Sequence, residues 1–129
     1  MAGTTAKIGV LYNSNGQQRL TSILCWYDGY IKNAGRLLVT NFNTESSAIE
    51  LVQGGDVVGL RQEIHRITKY AANAESKEWG NVNQFLEWSN AVYCYIMIDG
   101  VWHVRLPEMN TTEIVNLEHT LLLQTLTNA

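Results

Sequence analysis

Two dipeptides constrain this chain more than anything else in it. Asn15-Gly16 and Asp99-Gly100 each stand between two apolar, strand-like runs. Pairs of this kind close two-residue β-hairpins, because both turn positions need positive φ. The first pair joins residues 7–12 to residues 19–26, where Leu20, Ile23, Leu24 and Trp26 supply apolar bulk. The second joins residues 91–98, rich in Tyr and β-branched residues, to residues 101–106. A hairpin near each end predicts an α+β domain built on antiparallel pairs, with a few helices, and not an alternating parallel sheet.

Helices are expected between and after the hairpins. Residues 33–41 read as a short helix with Gly35 near its start. Thr44 is placed to cap the next one, with Glu45 in its first turn. Ala48, Ile49, Leu51 and Val52 form its apolar side, and Gly54-Gly55 stops it. Residues 56–60 read as a compact connection. Residues 61–70 fit helix and strand equally, and residues 71–77 read as a polar loop. Residues 82–89 offer Phe85, Leu86 and Trp88 to a further helix. A terminal helix is expected over residues 111–126, capped by Thr111 or Thr112, with Glu113 in its first turn. Ile114, Leu117, Leu121 and Leu122 would line one side, widened by Leu123. So broad an apolar stripe suits either the core or a subunit contact.

Composition narrows the class of partner. A chain of 129 residues makes one domain, 1–129. Its net charge of −3, with 16% charged residues, speaks against long nucleic acid and anionic membranes. A small anion held by two or three cations remains compatible. No apolar run approaches the roughly 20 residues that cross a bilayer. Residues 1–7 lack the apolar core of a signal peptide, so a cytoplasmic location is expected. Cys25 and Cys94 lie in apolar stretches and read as buried, reduced thiols.

The catalytic inventory is thin. There is no phosphate-binding G-x-x-x-x-G-K-[ST], no G-x-G-x-x-G, no H-E-x-x-H and no G-x-S-x-G. His65, His103 and His119 are scattered, and their spacing from Glu63 or Asp99 does not mark a metal site. No metal and no cofactor is expected, and the thin inventory is compatible with non-catalytic binding. The competing readings are an enzyme using His65, His103 and Asp28 or Asp56, and an antagonist that binds a host protein through an aromatic patch. What the chain does have is aromatic rings beside polar and cationic groups: Trp26-Tyr27-Asp28-Gly29-Tyr30, then Trp79, Phe85, Trp88, Tyr93, Tyr95 and Trp102. Such rings stack on nucleobases, and arginines bind phosphate bidentately, although most aromatics in a small domain fill its core.

An ordered string of motifs adds to this. Cys25-Trp26-Tyr27-Asp28-Gly29-Tyr30 is followed by Asn33, Gly35, Leu37-Leu38, Asn43-Thr44, Leu51-Val52 and Gly55-Asp56, ending at Leu60. The string resembles a phage and prophage family with C-H-W-D-G-Y, G-x-x-L-L, N-T and L-G-D-x-x-x-L in that order. The span from Tyr93 to Trp102 resembles that family's later strand and G-x-W. The likeness covers residues 7–60 and, loosely, 91–105. Here Tyr27 is inserted between Trp26 and Asp28, and no His precedes Trp26.

The family is that of the type 1 Thoeris anti-defence nucleotide sponges. The resemblance implies sequestration, without cleavage, of a cyclic ADP-ribose isomer such as gcADPR, made by TIR-domain enzymes of Thoeris defence. Cyclic oligonucleotides of CBASS defence are implied as further ligands. It implies homo-oligomers, dimers that can build hexamers, with ligands at subunit interfaces. By residue type and order it implies Trp79 or Phe85 as the ligand's aromatic ring, Asn90 as its amide, and Arg61 and Arg105 as its cations.

Overall fold

The computed structural model describes residues 4–61, 66–69, 75–87 and 91–127. In chain order these form β1 (Ala6–Ser14), β2 (Gln17–Cys25), a π-helical turn (Ile31–Gly35), α1 (Arg36–Asn41), α2 (Glu45–Gln53), β3 (Val57–Arg61) and β4 (Arg66–Lys69). Then come β5 (Lys77–Trp79), α3 (Val82–Glu87), β6 (Tyr93–Ile98), β7 (Val101–Arg105), β8 (Val115–Asn116) and α4 (Leu117–Thr127).

The fold is a mixed α+β domain with a C-terminal helix. Both hairpins form as the dipeptides require. Asn15 and Gly16 have φ of 54° and 80°, and Asp99 and Gly100 have φ of 53° and 78°. The β1–β2 register runs from Ala6 opposite Cys25 to Ser14 opposite Gln17. A parallel pairing of β1 with β6 joins the two hairpins, and β2 meets β3 in parallel at Cys25 and Val57. The sheet is thus mixed, ordered β4-β3-β2-β1-β6-β7-β8, with β5 added to β2. The parallel join is available because β2 itself returns the chain to the end of the sheet where β1 starts, with Cys25 opposite Ala6, and β6 starts there with Tyr93 opposite Ala6.

β1 alternates between two buried faces. Ala6, Ile8, Val10 and Tyr12 face the larger core, with Ile23, Cys25, Tyr95, Met97, Trp102 and Val104. The π turn, α1, α2 and Leu117 of α4 cover this side. Helix α2 starts as its sequence predicts: the Ser47 amide donates to Thr44 Oγ1 at 3.1 Å, and the Thr44 amide donates to Ser47 Oγ at 3.2 Å. The opposite face carries a smaller cluster of Leu20, Phe85, Leu86, Cys94 and Ile96 beneath the six residues of α3. Cys25 and Cys94 are both buried, lie on opposite faces and are separated by β1, so no disulfide can link them.

Several expectations change. The connection expected at 56–60 is mostly strand, since Val57–Arg61 is β3. Within 61–70, Arg66–Lys69 is strand, while 62–65 and 70 lie outside the described residues, as do 71–74 of the expected loop. Lys77, placed at the end of that loop, opens β5. Helix α3 ends at Glu87, and 88–90 lie outside the description.

The terminal helix begins at Leu117 rather than Thr111. Asn110 and Glu113 close a turn on each other instead, and the β-branched Val115 joins β7 opposite Val104. The cap is Asn116, whose Oδ1 accepts from the His119 amide at 2.7 Å. The expected apolar side also splits. Leu117 is buried, Ile114 packs on the smaller cluster, and Leu122 is 56% exposed.

Candidate anion-binding cleft

The densest sequence motif is a structural staple. Trp26 continues β2 by donating its amide to Val57 O at 3.1 Å, and Asp28 then turns the chain with φ of 57°. The Gly29 amide donates to Thr4 O at 2.8 Å, and Gly29 O accepts from the Tyr95 hydroxyl at 2.6 Å. A Cβ on Gly29 would stand 2.6 Å from the Ala6 Cβ, so only glycine fits. Asn33 Nδ2 donates to Asp28 O at 2.8 Å and to Leu60 O at 3.3 Å, which ties the loop to the π turn and β3.

Beside this staple lies a cleft of about 390 Å³. Lys7, Ser22, Leu24, Trp26, Asp56 and Lys77 are among its lining residues. Strand register assembles it. Lys7 is opposite Leu24 on one side and Cys94 on the other, while β5 sets Lys77 opposite Ser22 and Trp79 opposite Leu20. Arg19 clasps Glu78 with an ion pair and so holds β5 on β2.

The result is an indole with two ammonium groups over it. Lys7 Nζ and Lys77 Nζ each lie 4.4 Å from the Trp79 ring centroid, and Lys7 Nζ is 5.9 Å from that of Phe85. Such contacts contribute about 0.5–1 kcal/mol each at exposed sites and about 2 when desolvated. Trp79 is held in place. Its Nε1 donates to Ser22 Oγ at 2.7 Å, and its ring meets Phe85 edge-on with centroids 6.1 Å apart. Asp56 also has a fixed role, with Oδ1 accepting from the Leu24 amide at 2.8 Å.

Lys7 retains only 9% of its surface. Burial lowers the pKa of its amine from the ordinary lysine value, and the neighbouring charges of Lys77 and Arg105 push the same way. Cys94 and Asp56 push against them. The lining thus sets the amines of Lys7 and Lys77 against the carboxylates of Asp56 and Glu75, and a small anion would be held by the two amines that meet over Trp79.

The expected ligand residues are only partly brought together. Trp79 and Phe85 touch, but Phe85 is fully buried core. Arg61 ends β3, and Asn90 lies outside the described residues. Arg105 is 9% exposed, and its Nη1 donates to the carbonyls of Leu86 and Thr111, the latter at 2.8 Å. It borders a separate hollow of about 410 Å³ with Leu86, Val92, Pro107 and Met109. Of the enzyme candidates, His65 is outside the described residues, His103 is half-buried and Asp28 is exposed. Among the described residues no three His, Cys, Asp or Glu side chains gather as a metal site would need. No helix of the described residues is long and apolar enough to cross a membrane.

Sequence reasoning missed Lys7 and Lys77. The alternation of β1 does put Lys7 on the side of Leu11, and that was a usable signal once both faces are known to be covered. Nothing in Lys77-Glu78-Trp79 marks it as a strand in advance. No protein-family model, no curated protein and no solved structure matches the chain.

Proposed function

We propose that this protein is a nucleotide sponge: it binds a small anionic nucleotide signal in the Lys7–Lys77 cleft and withholds it without cleaving it. The observation that supports this is the pair of ammonium groups over Trp79 at the edge of a cleft of about 390 Å³. Charge-assisted hydrogen bonds to phosphate contribute about 1.5–3 kcal/mol each. Stacking of a base on an indole such as Trp26 adds about 1–3 kcal/mol. Two phosphate contacts and one stacked base thus approach the roughly −8 kcal/mol of a micromolar ligand, less the cost of ordering it.

The ligand class is a cyclic ADP-ribose isomer or a cyclic oligonucleotide, and the setting is the cytoplasm of an infected bacterium, where the protein disarms a nucleotide-signalled defence. Assembly of like chains belongs to the same reading. Leu122, Leu123 and Leu126 are 56%, 49% and 66% exposed on α4, and apolar area of this kind marks a contact surface.

The test is native mass spectrometry after mixing with a panel of cyclic nucleotides and ADP-ribose isomers, followed by heat denaturation. A retained ligand recovered intact supports the sponge. A cleaved product, or no retention by any member of the panel, overturns it.

A further inference from the structure

The cleft also encloses a nucleophile. Lys7 Nζ sits against Trp79 and Phe85 on the cleft wall, and Lys77 Nζ lies at the same 4.4 Å from the shared indole. Desolvation of the Lys7 amine and the second cation beside it favour the neutral form that attacks a carbonyl, while the ring faces themselves favour the charged form. We propose that Lys7 captures anionic aldehydes as a Schiff base, with Lys77 holding the ligand's phosphate. The inference rests on reading the cleft as an anionic nucleotide site, and it names a further ligand class: nucleotides or sugar phosphates with a free reducing carbonyl.

The chemistry balances without a co-reactant. The neutral amine forms a C–N bond to the carbonyl carbon, giving a carbinolamine. The carbon–oxygen bond then breaks, and the oxygen departs as water with the two hydrogens the amine gives up. Nothing is oxidised or reduced. Burial of Lys7 enlarges the neutral fraction that begins the attack, as do the charges of Lys77 and Arg105, while Cys94 and Asp56 work against it.

Pyridoxal 5′-phosphate, an anionic aldehyde, is the probe. The folded protein is incubated with it, the imine is fixed with cyanoborohydride, and labelled peptides are mapped by mass. Lys7 is expected to label at least fivefold faster than the exposed Lys32, and Lys77→Met to slow Lys7 labelling severalfold while leaving Lys32 unchanged. Labelling of Lys32 and Lys77 with Lys7 unmodified overturns the proposal, and so does a Lys7 rate insensitive to Lys77→Met. A cyclic nucleotide without a free carbonyl separates the two readings. If it is retained while Lys7 stays unlabelled, aldehyde capture falls and the sponge stands. If Lys7 labels while no nucleotide is retained, the sponge falls and aldehyde capture stands.

Discussion

The Tyr95 hydroxyl donates to the Gly29 carbonyl at 2.6 Å, so the first strand of the second hairpin holds the loop that follows the first hairpin. Tyr95 is fully buried, and burial raises its phenol pKa, so the group stays a donor throughout the neutral range. Tyr95→Phe leaves a carbonyl with no donor in a dry site. The expected loss is about 1–3 kcal/mol. Urea unfolding should show a lower midpoint with an unchanged slope. An unchanged midpoint would mean that the loop is held by its other contacts alone.

Gly9 sets the height of α3 above the sheet. A Cβ there would stand 3.0 Å from Phe85 Cε1 and Cζ. Phe85 in turn props Trp79, whose ring carries both lysines. Gly9→Ala should cost about 1–3 kcal/mol through overpacking and displace the indole. Tryptophan fluorescence should report the displacement alongside the stability loss. A variant with wild-type stability and emission would show that α3 yields without strain.

How much was legible in the sequence depends on how local the signal is. Asn15-Gly16 and Asp99-Gly100 fix their turns through two residues' own φ angles, and both turns form. Thr44 likewise caps α2 through a neighbour three residues on. The parallel β1–β6 join leaves no local trace, since it pairs Ala6 with Tyr93 and Leu11 with Ile98, far apart in the chain. Thr111 failed as a cap because Val115 gains a strand partner across the sheet, a contact no window on 111–126 contains. The cleft failed for the same reason. Lys7 and Lys77 are 70 positions apart and meet only through the registers of β1, β2 and β5.

Lys77 and Arg105 should separate binding from folding. Lys77 is exposed, with its charge over Trp79, whereas Arg105 donates to the Leu86 and Thr111 carbonyls inside the protein. Lys77→Met should weaken retention of an anionic nucleotide about tenfold or more, the loss of one charge-assisted contact of about 1.5–3 kcal/mol, with little change in melting temperature. Arg105→Met should lower the melting temperature by several degrees, because two carbonyls lose their donor. Calorimetric titration and thermal melts on both variants decide this. The reverse pattern would move the anion site from the Lys77 cleft to Arg105.

Alkaline pH should weaken the fold in part through Cys25. Burial pushes its thiol from 9.0 up to about 11, only partly offset by hydrogen bonds to the backbone at Leu60 and Tyr27. The unfolded chain then releases this proton near pH 9 while the folded chain keeps it. Between pH 9 and 11 the unfolded state binds fewer protons, so stability falls as pH rises. Below pH 9 both states hold the proton, and the contribution is fully present. Lys7 acts oppositely: its lowered pKa makes stability rise with pH below 10.5. The comparison that isolates the thiol is therefore wild type against Cys25→Ala. The stability difference between the two should be constant from pH 7 to 8.5 and shift in favour of the alanine variant from pH 9 to 11. Urea midpoints measured across that range provide the check, and parallel pH curves for the two proteins would show that Cys25 ionises alike in both states.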